Sequence, residues 1–233
     1  MHFSGLQERV AAVRERIARA AGRGGHRQTV RLIAVTKTHG PEAVEAILAA
    51  GIADVGENKV QEAQQKQLQV RERAIGPVGR LQWHLIGHLQ TNKVKALSGF
   101  ALFHALDRAT LADAADVVGR RVGRPLDVLV QVNVSGEGSK GGYTLAALGR
   151  EAERLRSLTG LRVGGVMTMA PLEADEVTLR RVFSGARAAR DVLRAAGHPA
   201  MELSMGMSGD FEVAVEEGAT LVRLGTVLFG ERG

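Results

Sequence analysis

The chain reads as a closed (β/α)8 TIM barrel, and three observations predict it. Eight short apolar runs alternate with amphipathic stretches along almost the whole length, an order that argues for parallel strands joined by crossover helices. No Pro-rich or Ser-rich linker breaks the alternation, so residues 1–233 are expected to form one domain. A length of 233 residues is also enough to bury the full core of one such barrel. An open, doubly wound sheet is the alternative that the same alternation allows.

The elements follow in order. Leu6, Val10, Val13 and Ile17 recur at helical spacing with charges between them, which predicts an amphipathic helix over 4–21 that ends near Gly22 and packs outside the barrel. Strand 31–36 then leads to helix 41–50, and a short strand 53–56 to helix 58–70. Strand 81–86 (LQWHLI) precedes helix 91–98, strand 101–106 (ALFHAL) precedes helix 109–122, and strand 126–134 (LDVLVQVNV) precedes helix 144–158. Strand 161–168 leads to helix 175–196, strand 200–204 to helix 209–217, and strand 220–224 (TLVRL) completes the eight.

Composition narrows the function classes. There is no cysteine, which rules out disulfides and thiolate sites and fits a reducing, cytoplasmic compartment. The N-terminus is charged from residue 8 onward, so neither a signal peptide nor a membrane span is expected. A net charge of +6 would suit nucleic acid, but the arginines are dispersed among glutamates on helices and aromatic residues are only 3%. A solvated, Arg-rich surface explains the charge better.

In a barrel, chemistry gathers where strands run into the following helices. Those positions hold Lys37 after the first strand, Glu57 and Asn58 after the second, Gly87 and His88 after the third, Asp107 after the fourth and Asn133 after the fifth. Strand alternation puts Lys37 on the face of Ile33 and Val35, pointing inward. Apolar surroundings lower an ammonium's pKa and free the amine for a Schiff base; a strand-end lysine that snorkels to water is the plainer reading.

Two glycine-bearing loops follow the seventh and eighth strands, Ser204 to Asp210 and Gly225–Thr226. Barrels commonly build phosphate sites there. Gly206, Gly209 and Gly225 would admit an anion close to backbone N–H groups, and Ser204, Ser208 and Thr226 offer hydroxyls. Ordinary turn usage, with Ser208 capping the next helix, reads equally from the same residues. Arg223 shares a face with Gly225 and is expected at the barrel mouth. There it would meet either a ring nitrogen, which a guanidinium can only approach as a donor, or a carboxylate in a salt bridge. His84 and His88 lack metal-site spacing, and His84 and His104 read as buried, hydrogen-bonded histidines. Met167, Met169, Met205 and Met207 read as core filler, and Lys140 lies in a Gly136–Gly142 loop that is no P-loop.

Five motifs, in order, resemble those of the pyridoxal phosphate homeostasis protein family. They are VTKTH around Lys37, VGENKVQEA at Val55 to Ala63, WHLIGHLQTNK at Trp83 to Lys93, VNVSGEGSKGG at Val132 to Gly142, and LSMGMSGDFEVAVEEGATLVRLGTVLFGER near the end. The resemblance covers nearly the whole chain. It implies a barrel like the N-terminal domain of alanine racemase, with pyridoxal 5'-phosphate (PLP) held by Lys37 as an internal aldimine. It further implies phosphate contacts from Ser204, Gly225 and Thr226, with Ser208 beside them, Arg223 facing the pyridine nitrogen, and Asn58 beside the ring. The implied role is buffering or delivering PLP; with the composition, the expectation is a cytoplasmic monomer that serves PLP-dependent apo-enzymes and binds neither nucleic acid nor membrane. Alanine racemases take their second base, a tyrosine, from a C-terminal β domain. Nine residues follow the last expected strand and Tyr143 is the sole tyrosine, so a non-catalytic carrier is expected. The rival functions are a fold-related PLP racemase or decarboxylase and a metal-dependent barrel hydrolase.

Overall fold

The computed structural model describes residues 3–73, 79, 81–137 and 141–230. Lys140 lies outside them. Eight parallel strands close a barrel in chain order: β1 Arg31–Val35, β2 Asp54–Glu57, β3 Gln82–Leu85, β4 Leu102–Leu106, β5 Leu126–Gln131, β6 Leu161–Met167, β7 Glu202–Ser204 and β8 Leu221–Leu224. Closure comes from β1 pairing with β8, Ile33 beside Arg223 and Ala34 beside Leu224. The helices are α1 Leu6–Gly24, α2 Pro41–Ala49, α3 Val60–Glu72, α4 Ala109–Arg121, α5 Leu145–Arg156, α6 Glu176–Ala195, α7 Phe211–Glu216 and α8 Thr226–Phe229. The closed barrel, rather than the open sheet, is the form the alternation takes.

Between β3 and β4 the expected α-helix is a 3₁₀ helix, Thr91–Gly99. Its buried residues Val94 and Leu97, followed by Phe100, recur every third position. That spacing lines up on one edge of a three-residue turn and would drift round an α-helix. The strand expected over 126–134 stops at Gln131, and beyond it Val132 makes only an isolated bridge to Tyr143.

The predicted N-terminal helix runs longer than expected, to Gly24, and buries Leu6, Val10, Val13, Ile17 and Ala20. Each such aliphatic side chain contributes about 1.5–3 kcal/mol when fully buried. Helix α1 packs against α7 and α8 on the outside of the barrel. Arg9 Nε donates to the carbonyl of Leu228 at 2.6 Å, and the Arg16 guanidinium lies 4.6 Å from the Phe211 ring centre. The helix therefore braces the chain segment that follows β8.

The barrel interior is unusually polar for its depth. His84, His104, Ser204 and Arg223 are all buried, and Ile33, paired with Arg223 across β1 and β8, is buried beside them. Buried polar groups persist where each finds a partner, and these four are bonded to one another. None of the helices among the described residues is long and apolar enough to cross a membrane.

Candidate functional site

The site begins at the C-terminal end of β1. The strand ends at Val35, so Lys37 stands two residues beyond it, half-buried, in the turn that the strand reading had placed on a continuous inward face. Both neighbours of Lys37 are clamped. Thr36 is fully buried; its hydroxyl donates to Glu57 Oε1 at 2.6 Å and its carbonyl accepts from Lys66 Nζ at 2.7 Å. Thr38 holds a left-handed backbone, φ 68°, and its N–H donates to Glu62 Oε1 at 2.5 Å. A β-branched residue at positive φ costs on the order of 1–3 kcal/mol and persists only where the surroundings over-determine it. Here α3 supplies that constraint.

Lys66 and Glu57 form a buried ion pair with Nζ to Oε1 at 2.6 Å, and Lys66 also lies 3.7 Å from Glu62. Burial pushes the Glu57 carboxyl up from the usual carboxylate range, and the bonds from Lys66 and Thr36 oppose it. Sequence reasoning missed this clamp. The signal was present: Lys66 falls in the apolar stripe Val60, Ala63, Lys66, Val70 of α3, where a lysine needs a buried partner.

The loops after β7 and β8 form the second part. Ser208 Oγ accepts from the N–H groups of Gly225 and Val227, both at 3.3 Å, so the two loops meet through that hydroxyl. Ser208 is thus not the cap of α7; Asp210 occupies that position, without a side-chain cap bond, and its carboxylate accepts from Met207 N at 2.6 Å. Gly206 serves the turn itself, with φ 93° and room for no Cβ, which would lie 2.7 Å from Ala214 Cβ. Gly225 differs. Its φ is negative, −121°, and a Cβ there would meet Val35 only at an ordinary 3.7 Å. Protein crowding therefore does not explain that glycine, whereas close approach of a ligand to its backbone would. Thr226 beside it is exposed and Ser208 half-buried. Backbone N–H groups and two hydroxyls at one rim suit a phosphate.

The structure therefore joins Ser208, Gly225 and Thr226 and sets Ser204 apart. Ser204 is fully buried in β7, where its hydroxyl meets His104 Nδ1 at 2.8 Å and accepts from Arg223 NH1 at 2.6 Å. Arg223 also donates to the Thr168 carbonyl at 2.9 Å. Burial pushes the Arg223 pKa down to about 10, with the Asp210 carboxylate acting against the shift, so the guanidinium stays charged at neutral pH. Asn58 follows β2, half-buried, and Gly87 packs against it so tightly that a Cβ would fall 2.3 Å from the Asn58 carbonyl oxygen. The register of β1 on β8 places Lys37 at the same end of the barrel as Gly225 and Thr226. Among the described residues no cluster of three or more His, Asp or Glu could hold a metal ion. His84 and His104 are instead hydrogen-bonded to each other at 3.0 Å.

The chain forms a closed parallel barrel and matches the alanine racemase N-terminal domain family over residues 9–233. Within that class, the pyridoxal phosphate homeostasis protein of Aquifex aeolicus is 42% identical over 228 residues, covering 97% of each chain. PipY of Synechococcus elongatus, solved with PLP bound, is 35% identical with a TM-score of 0.84, over 97% of this chain and all of that one. Alanine racemase from Streptomyces coelicolor shares the fold, with a TM-score of 0.76 at 19% identity, and the match spans 59% of that longer chain. The chain belongs to the family of pyridoxal phosphate homeostasis proteins.

Proposed function

We propose that the chain binds PLP at the barrel mouth through Lys37 and holds it for delivery, as an element of PLP homeostasis. The observation that carries this reading is the pairing of two features at one end of the barrel: a lysine between two clamped threonines, and, on the adjacent rim, a glycine that protein packing does not require. Lys37 would hold the cofactor through its amine, and the cofactor would supply an aldehyde carbon able to form a C=N bond with that nitrogen, the carbonyl oxygen leaving as water. Ser208, Gly225 and Thr226 would hold the phosphate. Arg223 would face the pyridine nitrogen; having only donors, it keeps that nitrogen unprotonated and weakens the ring as an electron sink. Asn58 would lie beside the ring. Cytoplasmic residence, a monomeric state and apo-enzymes as recipients belong to the same reading.

The non-catalytic part of the proposal is supported by Tyr143. Its hydroxyl donates to Glu151 at 2.8 Å, and burial, reinforced by that carboxylate, pushes its pKa well above the usual tyrosine value. A phenol so held is a poor proton acceptor near neutral pH, and racemisation needs a second base opposite the lysine. The purified protein, loaded with PLP, is expected to be yellow and to lose its colour with borohydride. It should interconvert L- and D-alanine far below the ~1 per second typical of enzymes. Turnover at enzymatic rates would make it a racemase, and a colourless protein after incubation with PLP would refute the binding itself.

The phosphate assignment has its own test. Ser208→Ala combined with Thr226→Val is expected to weaken PLP binding much more than pyridoxal binding, because hydrogen bonds to a charged group contribute about 1.5–3 kcal/mol each. Equal losses for the two ligands would place the phosphate elsewhere.

A further inference from the structure

One chain of side chains crosses the barrel interior from end to end. Asp54 opens β2 at the N-terminal end of the barrel, opposite Lys37, where its Oδ1 lies 3.5 Å from Arg31 NH1 and 2.9 Å from His84 Nε2. His84 Nδ1 is 3.0 Å from His104 Nε2, and His104 Nδ1 is 2.8 Å from Ser204 Oγ. Ser204 Oγ accepts from Arg223 at 2.6 Å. His84, His104, Ser204 and Arg223 are each no more than 5% exposed.

The two ends fix the direction of every link. A carboxylate only accepts and a guanidinium only donates. Asp54 therefore takes the Nε2–H of His84. At the other end Ser204 Oγ receives the guanidinium, and within the chain its own hydrogen can go only to His104 Nδ1, so His104 gives its Nε2–H to His84 Nδ1. Burial, together with the neighbouring His84, Arg223 and Arg31, holds the His104 pKa well below the ordinary histidine value, so that ring too carries one proton. Its Nδ1 then accepts the Ser204 hydroxyl hydrogen, which leaves the serine oxygen free to accept from Arg223. If the chain ran the other way, His104 and Arg223 would both donate to Ser204, and the serine hydrogen would have no acceptor within the chain.

We propose that Asp54 is a positioning residue for Arg223: acting through His84, His104 and Ser204, it selects the tautomers that let the serine oxygen receive the guanidinium. Asp54 thereby couples the N-terminal end of the barrel to the group that faces the ligand. That end holds a cavity of about 370 Å³ lined by Arg31, His84, Arg162 and Glu202, so the relay starts beside space open to solvent or solute. The effect on PLP rests on the functional reading above; the direction of the relay does not.

Protein labelled with ¹⁵N in histidine and arginine separates the two. Without ligand, the wild type is expected to show His84 and His104 as neutral rings protonated at Nε2. Asp54→Asn, whose amide can donate to His84, should convert at least His104 towards the Nδ1-protonated form and shift the Arg223 guanidinium signals. In the loaded protein the same variant should move the visible band and lower PLP affinity about threefold to tenfold. His84→Gln carries the same test if Asp54→Asn does not fold. Wild-type rings protonated at Nδ1, or Arg223 signals unmoved when the tautomers change, would overturn the proposal. Failure of the wild type to take up PLP would refute only the functional reading, because the relay is judged on the unliganded protein.

Discussion

Replacing Lys37 with alanine is expected to abolish the visible absorbance that the protein acquires with PLP while leaving the fold intact. The expected loss is complete, because covalent attachment needs the amine nitrogen and alanine offers none. Little stability should go with it. Lys37 is half-buried in a turn, its neighbours Thr36 and Thr38 are held by groups on β2 and α3, and none of those bonds involves the Lys37 amine. Absorbance spectra before and after borohydride, with circular dichroism on the same samples, decide the matter. A colour that survives Lys37→Ala and still bleaches with borohydride would move the attachment point to another lysine.

Lys66→Met is expected to give the largest loss of stability. Removing one partner of a buried pair leaves the other charge uncompensated, at a cost of about 3–5 kcal/mol. Glu57 would lose its Lys66 bond, and the carbonyl of Thr36 would lose one of two donors, keeping the His39 N–H at 3.1 Å. The pH dependence has a definite sign. The Glu57 carboxyl is already raised in the folded state, first by burial, and without Lys66 it rises further. A folded pKa above the unfolded value means stability that is full below the unfolded pKa and is lost as pH rises through the folded one. The deficit of Lys66→Met should therefore shrink on acidification, as Glu57 takes up a proton. Urea unfolding at neutral and at mildly acidic pH measures it, and a deficit that grows on acidification would contradict the assignment. A second consequence links this pair to binding. Without Lys66 the Thr36 carbonyl keeps its turn bond from the His39 N–H but loses its tie to α3, so the turn that presents Lys37 is held less firmly and PLP uptake should slow even where the variant remains folded.

Much of this molecule was legible in the chain, and the legible part has a common physical origin. The strand period of two and the helical period near 3.6 are local properties, so β1 to β8 and the apolar stripe of α1 could be read from neighbouring residues alone. Lys37, Gly225 and Thr226 could be picked out because each lies just after a strand, and closure of β1 on β8 brings the ends of those strands side by side. Boundaries were less legible. Lys37 looked like the last inward residue of a strand, yet the ladder ends at Val35 and a left-handed threonine follows, set by Glu62 from another element.

What only the tertiary structure decided is the partner of each polar side chain. Ser204 and Ser208 are both serines of one glycine-bearing loop, four residues apart, and local sequence gives no reason to separate them. Strand β7 ends at Ser204, which turns its hydroxyl to His104 a hundred positions earlier in the chain, whereas Ser208 lies beyond the strand and meets the backbone of Gly225. Lys66 similarly reads as a helix lysine until α3 is laid against β2 and its ammonium is found on Glu57. The chain alone was enough for the strand–helix alternation, the outer helix and the strand ends at which chemistry gathers; closure into a barrel rather than an open sheet was not among them. Which serine serves the rim and which the interior, and the route from Asp54 to Arg223, were decided by the closure and stagger of the barrel, because hydrogen bonds form between atoms about 3 Å apart wherever the fold brings them.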